Sequence, residues 1–210
     1  MKTKEKNMLY SVLFLSLFLL IAFFAATNTF IVNFDSFVDS GIRNTDLLDN
    51  IAKFITNVAD TTAIIILSLL FFGILIYRNK INEGFFVIAC IFGSFVLGYL
   101  IKLLIARDRP EGSIIEETGY SFPSGHALKA LIFFSLLIYL FKDDIKSVFL
   151  RNIFVFVNVL LIALIGFSRV YLHVHWFSDI IGSWLLGLFW LNLMIFLFKD
   201  KIKSIRSTRR

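Results

Sequence analysis

The stretch GYSFPSGHALKALIFF, Gly119 to Phe134, packs Ser, Pro, Ser, Gly and His into six residues and then runs into an apolar segment interrupted only by Lys129. Proline followed by Ser-Gly marks the start of a helix, because Pro cannot extend a preceding helix and Ser caps the next one. The apolar segment reads as a membrane span. Similar uncharged or nearly uncharged runs recur at Met8–Ala26, Thr61–Tyr77, Gly84–Ala106, Ala127–Phe141, Asn152–Phe167 and Ile180–Phe198, and a spanning helix needs about 20 such residues. The composition agrees: 58% hydrophobic residues and 26 Phe in 210, with a mean hydropathy of +0.83, far exceed what a small soluble core uses. The expected fold is all-α, a polytopic six-transmembrane-helix bundle. The first run shows no clear small-residue cleavage site before the polar segment beyond it, and is expected to stay attached as a helix.

Lys and Arg near the spans set an orientation. Lys2, Lys4 and Lys6, the RNK at 78–80, the KDDIK segment with Arg151, and the tail KDKIKSIRSTRR fall on one side, which is then cytoplasmic. The other side receives residues 28–60, the loop around Arg107–Gly125 and the loop around Ser168–Ser178, and these hold all three His and both Pro. The formal charge of +6 and pI near 9.5 are explained by anionic lipid headgroups meeting the basic termini, with no nucleic-acid partner required. Cys90 stands alone inside the third span, so no disulfide framework is expected; it reads as a small core residue. A bias toward Phe, Ile, Lys and Asn suggests an AT-rich bacterial genome and a cell membrane location.

No internal repeat or soluble stretch of domain size interrupts the chain, so 1–210 reads as one membrane-embedded domain. Between the first two spans, TDLLDNIAKFITNVAD places Leu47, Leu48, Ile51, Phe54, Ile55 and Val58 at helical spacing. An outer interfacial helical segment is expected there, either packed on other spans or gating access to a site.

Three clusters carry chemistry. In KLLIARDRP, Lys102 precedes Arg109 by seven residues, about two turns if the helix continued, so the two cations can converge on one anion before Pro110 ends the helix. At Pro123-Ser124-Gly125-His126, free backbone N–H groups form an anion site. Gly125 lets the backbone come close, Ser124 can donate to a phosphoryl oxygen, and His126 stands as a proton donor. In SRVYLHVHWFSD, Ser168 and Arg169 end the fifth span, and His175 and Asp179 share a face on a helical entry, so the carboxylate holds one imidazole nitrogen and leaves the other nucleophilic. Such an imidazole can attack phosphorus while fixed cations stabilise the equatorial oxygens. Asp179 also reads as a helix-start carboxylate and Trp176 as an interface-belt aromatic. His173 is read as a dispensable interfacial residue. Lys129 is read as a snorkelling surface lysine or a headgroup contact, and Glu116 and Glu117 as solvated or as repelling wrong headgroups beside the anion site. His173, His175 and Asp179 also have a spacing that can ligate zinc, but a metal leaves Lys102, Arg109 and the S-G-H turn without a role.

Together the clusters resemble the phosphatidic acid phosphatase type 2 superfamily, whose pattern K-x6-R-P, P-S-G-H, S-R-x5-H-x3-D is matched by Lys102 to Arg109-Pro110, Pro123–His126, and Ser168-Arg169 to His175 and Asp179. The resemblance covers residues 102–179. It implies that His175 is the nucleophile, Asp179 orients it and His126 protonates the leaving oxygen, while Lys102, Arg109, Ser124, Gly125 and Arg169 bind the phosphate. It also implies catalysis with no metal or other cofactor, a six-helix core, and a lipid phosphate as partner. Undecaprenyl pyrophosphate, phosphatidylglycerophosphate and phosphatidate are the expected substrates, the first favoured by family analogy alone. A non-catalytic phospholipid-binding or transport protein is the alternative, and a vanadate-dependent peroxidase a third. Oligomeric state is left open, since an interface in lipid uses ordinary small and apolar residues.

Overall fold

In the computed structural model, residues 3–27, 29–43 and 45–207 are described. Lys2, Arg209 and Arg210, which contribute to the orientation argument, lie outside the described residues. Eight α-helices succeed one another: α1 (Thr3–Thr27), α2 (Phe30–Ser40), α3 (Asp46–Asn57), α4 (Thr61–Tyr77), α5 (Ile81–Ile105), α6 (Gly125–Phe141), α7 (Val148–Tyr171) and α8 (Phe177–Ser207). No strand occurs among the described residues. Five helices, α1 and α5 to α8, are long and apolar enough to cross a membrane. α4 has 17 residues, a rise of about 26 Å, and bends by 41° from α3 across a short break. Counted as one span, that pair brings the candidate spans among the described residues to six, the number expected.

Local chemistry sets the boundaries. Asp60 starts α4 by accepting Thr62 N–H at 2.9 Å, and Ser147 starts α7 by accepting Leu150 N–H at 3.4 Å. α6 is the central helix. It packs against α4, α5, α7 and α8, and Leu128, Ile132, Phe133, Leu136 and Leu140 are buried along its length. α1 lies along α8. Phe71 meets Phe133 edge-on at 6.3 Å between ring centres, one of several aromatic pairs that use the chain's phenylalanines as packing units. Leu19, Phe23, Leu70, Phe149 and Phe156 face outward on α1, α4 and α7, as lipid-facing residues do.

The segment between the first two spans forms two helices rather than one. α3 fills the expected interfacial place, but its apolar stripe is split: Ile55 and the following Val58 pack against the bundle core, and the rest turns outward. Leu47, Leu48, Ile51 and Phe54 are exposed, while the small residues Ala52 and Thr56 form the buried face, which lies on α7. Small side chains permit that close approach and leave the larger ones for the bilayer. The ends of the helices place α2, α3 and the loops 106–124 and 172–176 at one end of the bundle; the 78–80 and 142–147 connections lie at the other.

Candidate active site

Helix α5 ends at Ile105, within a residue of the expected span end at Ala106, and does not continue to Arg109. Its C-cap, Ala106, adopts a left-handed φ of 50°, four residues before Pro110, so Arg109 reaches the site from a loop and not two turns along a helix. That loop folds back on itself: Ser121 N–H donates to Arg107 O at 2.7 Å and Ser121 Oγ donates to Asp108 O at 2.9 Å. The fold-back brings the Arg107–Arg109 and Ser121–Gly125 segments beside the turn before α8.

α6 begins where the Pro-Ser-Gly sequence indicates. Ser124 is fully buried and its Oγ accepts Ala127 N–H at 3.5 Å, leaving its hydroxyl proton to donate elsewhere. A β-carbon placed on Gly125 would meet no atom within 4 Å, so the backbone borders open space. His126, in the first turn, lies within electrostatic reach of Arg169 and His175.

His175 is buried between its partners. Nδ1 is 3.3 Å from Asp179 Oδ2 and Nε2 is 3.3 Å from Arg109 Nη1. A carboxylate accepts and a guanidinium only donates, so these partners assign the proton to Nδ1 and the lone pair to Nε2. Burial first, and then the charges of Arg169, Arg109 and Lys102, hold the imidazole well below its ordinary pKa, so it stays neutral. Asp179 sits in the first turn of α8, and its Oδ2 also accepts Trp176 N–H at 3.0 Å. One carboxylate therefore caps the helix and orients the histidine.

Arg169, Arg109 and Lys102 all lie within electrostatic reach of that imidazole. Arg109 is fixed by Gly119 O at 2.9 Å, Val174 O at 2.6 Å and Thr118 O at 3.0 Å. Arg169 is 1% exposed; its Nη1 donates to Thr56 Oγ1 on α3 at 2.8 Å, while its buried Nε has no hydrogen-bond partner. Glu117, expected to be solvated, is only partly exposed and is paired: its Oε2 is 2.9 Å from Arg169 Nη2 and its Oε1 3.9 Å from Arg109 Nη2. Burial opposes its charge, but Arg169 and Arg109 hold the carboxyl below the usual range. Lys102, one turn before the end of α5, lines a cavity with Gly125. Lys102, Arg109 and Arg169 against Glu117 leave the site positive and suited to an anion.

Sequence reading missed two residues, Arg107 and Asp35. Arg107 donates to Asp179 Oδ1 at 2.7 Å, Ser178 Oγ at 2.7 Å and Asp35 Oδ2 at 2.7 Å, and lies 5.6 Å from the Trp176 ring centre. Asp35 on α2 also accepts Ser178 N–H at 2.9 Å. The available signal was a carboxylate four residues after Ile31, sharing its buried face. His173, read as interfacial and dispensable, is partly buried. It has a φ of 53°, and its Nδ1 is 2.7 Å from Asp39 Oδ1, so the H-x-H-x3-D spacing does not converge. Among the described residues no three His, Cys, Asp or Glu side chains form a group able to hold a metal. Lys129, read as a surface snorkeller, is buried.

Residues 83–203 match the family model described as the PAP2 superfamily. The chain is 32% identical over 139 residues to phosphatidylglycerophosphatase B of Bacillus subtilis, covering 64% of this chain and 66% of that one. It is 31% identical over 121 residues to undecaprenyl-diphosphatase of Sulfolobus acidocaldarius, covering 54% of each. The matches thus span under two thirds of either relative's length. Among solved structures, a transmembrane PAP2 type phosphatidylglycerolphosphate phosphatase from Bacillus subtilis superposes with a TM-score of 0.80 at 26% identity, covering 91% of this chain and 96% of that one. Aquifex aeolicus LpxE, at 18% identity and a TM-score of 0.61 over 78% and 93% of the two chains, shares the fold.

Proposed function

The chain belongs to the PAP2 superfamily, and on that premise we propose that it is a metal-independent phosphatase acting on a membrane lipid phosphate through a phosphohistidine intermediate. One observation carries the reading: a buried neutral imidazole with Nδ1 on Asp179 and Nε2 beside Arg109, next to a buried guanidinium with an unused donor. Nε2 of His175 attacks phosphorus, a P–N bond forms, and the P–O bond to the lipid breaks as His126 supplies a proton to the departing oxygen. Water then breaks the P–N bond, giving its proton to His126 and releasing phosphate. Lys102, Arg109, Ser124, Gly125 and Arg169 hold the equatorial oxygens, where fixed positive charge contributes most of the rate.

The whole chain acts as one membrane-embedded domain, with termini cytoplasmic and the site at the outer leaflet. There a headgroup meets the cations while its tails stay in the bilayer, and the substrate enters sideways between helices. The names of the two curated relatives favour phosphatidylglycerophosphate or undecaprenyl pyrophosphate, with phosphatidate as the simplest alternative.

Purified protein in detergent with EDTA, given each of these three lipids, is expected to release phosphate from at least one. His175→Ala should lower the rate at least ~1000-fold, the scale of losing a nucleophile, and His173→Ala should retain most activity. No release from any lipid by folded protein would favour a phospholipid-binding role; full activity in His175→Ala would remove the nucleophile assignment.

A further inference from the structure

Lys129 has no part in the chemistry just described. It lies on α6, three residues past His126 and four past Gly125, so it stands about one turn deeper, ~5 Å along the helix, on the same side. It is 7% exposed and lines an open cavity of about 340 Å³ with Thr61, Phe95, Tyr99, Lys102 and Gly125. These residues come from α4, α5 and α6, and the exposure of Tyr99 places the mouth of the cavity toward lipid.

An ammonium carries three donors. Among the described residues Lys129 gives one, to Thr61 Oγ1, a neutral acceptor; the Phe95 ring lies 6.0 Å from Nζ. Asp60 and Glu117 are within electrostatic reach, but neither forms an ion pair with it. A buried cation at membrane depth is costly and marks function more often than packing. The phosphate undergoing hydrolysis already has Lys102, Arg109, Arg169 and the Ser124-Gly125 turn. A cation one turn deeper, on the leaving-group side marked by His126, meets whatever is joined to that phosphate.

We propose that Lys129 binds a second, non-hydrolysed phosphate of the substrate headgroup, so that the site selects lipids carrying two phosphates over lipids carrying one. The second phosphate is attached either directly, as in a lipid diphosphate, or across a glycerol. This inference rests on the phosphatase reading above.

The test compares kcat/KM of the full chain and of Lys129→Met and Lys129→Arg on farnesyl diphosphate, phosphatidylglycerophosphate and phosphatidate. Lys129→Met is expected to lose about 10- to 100-fold, the scale of one charge-assisted hydrogen bond, on a two-phosphate lipid. Phosphatidate hydrolysis should stay within about 3-fold on the same scale, and Lys129→Arg should restore most of the loss. Loss on farnesyl diphosphate alone places the second phosphate next to the first; loss on phosphatidylglycerophosphate alone places it across the glycerol. An equal loss on all three lipids, or none, overturns the proposal while leaving the phosphatase reading intact. Wild-type protein inactive on all three sinks both. If Lys129→Met does not fold, wild-type inhibition decides: pyrophosphate or glycerol 1,3-bisphosphate must inhibit phosphatidate hydrolysis more tightly than orthophosphate, and neither doing so overturns it.

Discussion

His175 illustrates how much of a residue's chemistry is imposed by its neighbours. An exposed imidazole titrates near pH ~6.5; this one is held lower by burial and three cations. The neutral form is the nucleophile, so the depressed pKa preserves it into mild acid. In 15N-histidine NMR, with resonances assigned by His126→Gln and His173→Gln, His175 should keep a neutral signature between pH 8 and ~5.5. A titration centred near ~6.5 would contradict the burial argument. The same shift has a sign for stability. The folded-state pKa lies below the unfolded one, so the contribution is full above pH ~6.5 and is lost as pH falls toward the folded value.

At the scale of elements, α2 matters through a single side chain. Asp35 and Asp179 grip Arg107 from two helices, and Asp35 also holds the backbone of Ser178, next to the carboxylate that orients His175. Removing one partner of such a buried pair leaves an uncompensated charge and costs about 3–5 kcal/mol. Asp35→Asn is therefore expected to lower the melting temperature, and also to reduce kcat by roughly 10-fold or more with KM little changed, since Asp35 touches no proposed substrate group. A drop in stability with unchanged kcat would reduce α2 to packing. α8 shows a related coupling: a β-carbon on Gly182 would sit 2.5 Å from the Phe122 ring. The absence of a side chain there lets the segment leading into Pro123-Ser124-Gly125 rest against the helix that carries Asp179.

For the whole molecule, every element that supplies a proposed catalytic or phosphate-binding residue meets at one end of the bundle, and Lys80 and Asp144 approach to 3.9 Å at the other. If the first end faces outward, cysteines placed in exposed loops should label asymmetrically in intact cells. On a Cys90→Ala background, Glu111→Cys should react with a membrane-impermeant maleimide and Lys146→Cys should not, until the cells are permeabilised. The reverse pattern would place the site at the inner leaflet.

The grouping of Lys102, Arg109 and the Ser-Gly-His turn with His175 was implied by the family resemblance, whereas the six spans, the helix start at Ser124 and the His175–Asp179 pair were legible in the sequence alone. Each depends on composition, on caps or on spacings within a few residues, which are local properties of the chain. What required tertiary structure was every contact made across large sequence separations. The Arg107 grip on Asp35 and Asp179, the Glu117–Arg169 pair, Thr56 beneath Arg169 and the burial of Lys129 all join segments far apart in the chain. Ala106 turns the backbone left-handed at the end of the span, and the loop's fold-back brings Arg109 to His175. Local pattern specifies which residues carry charge and where helices begin; only packing decides which charges are neutralised and which remain for a ligand.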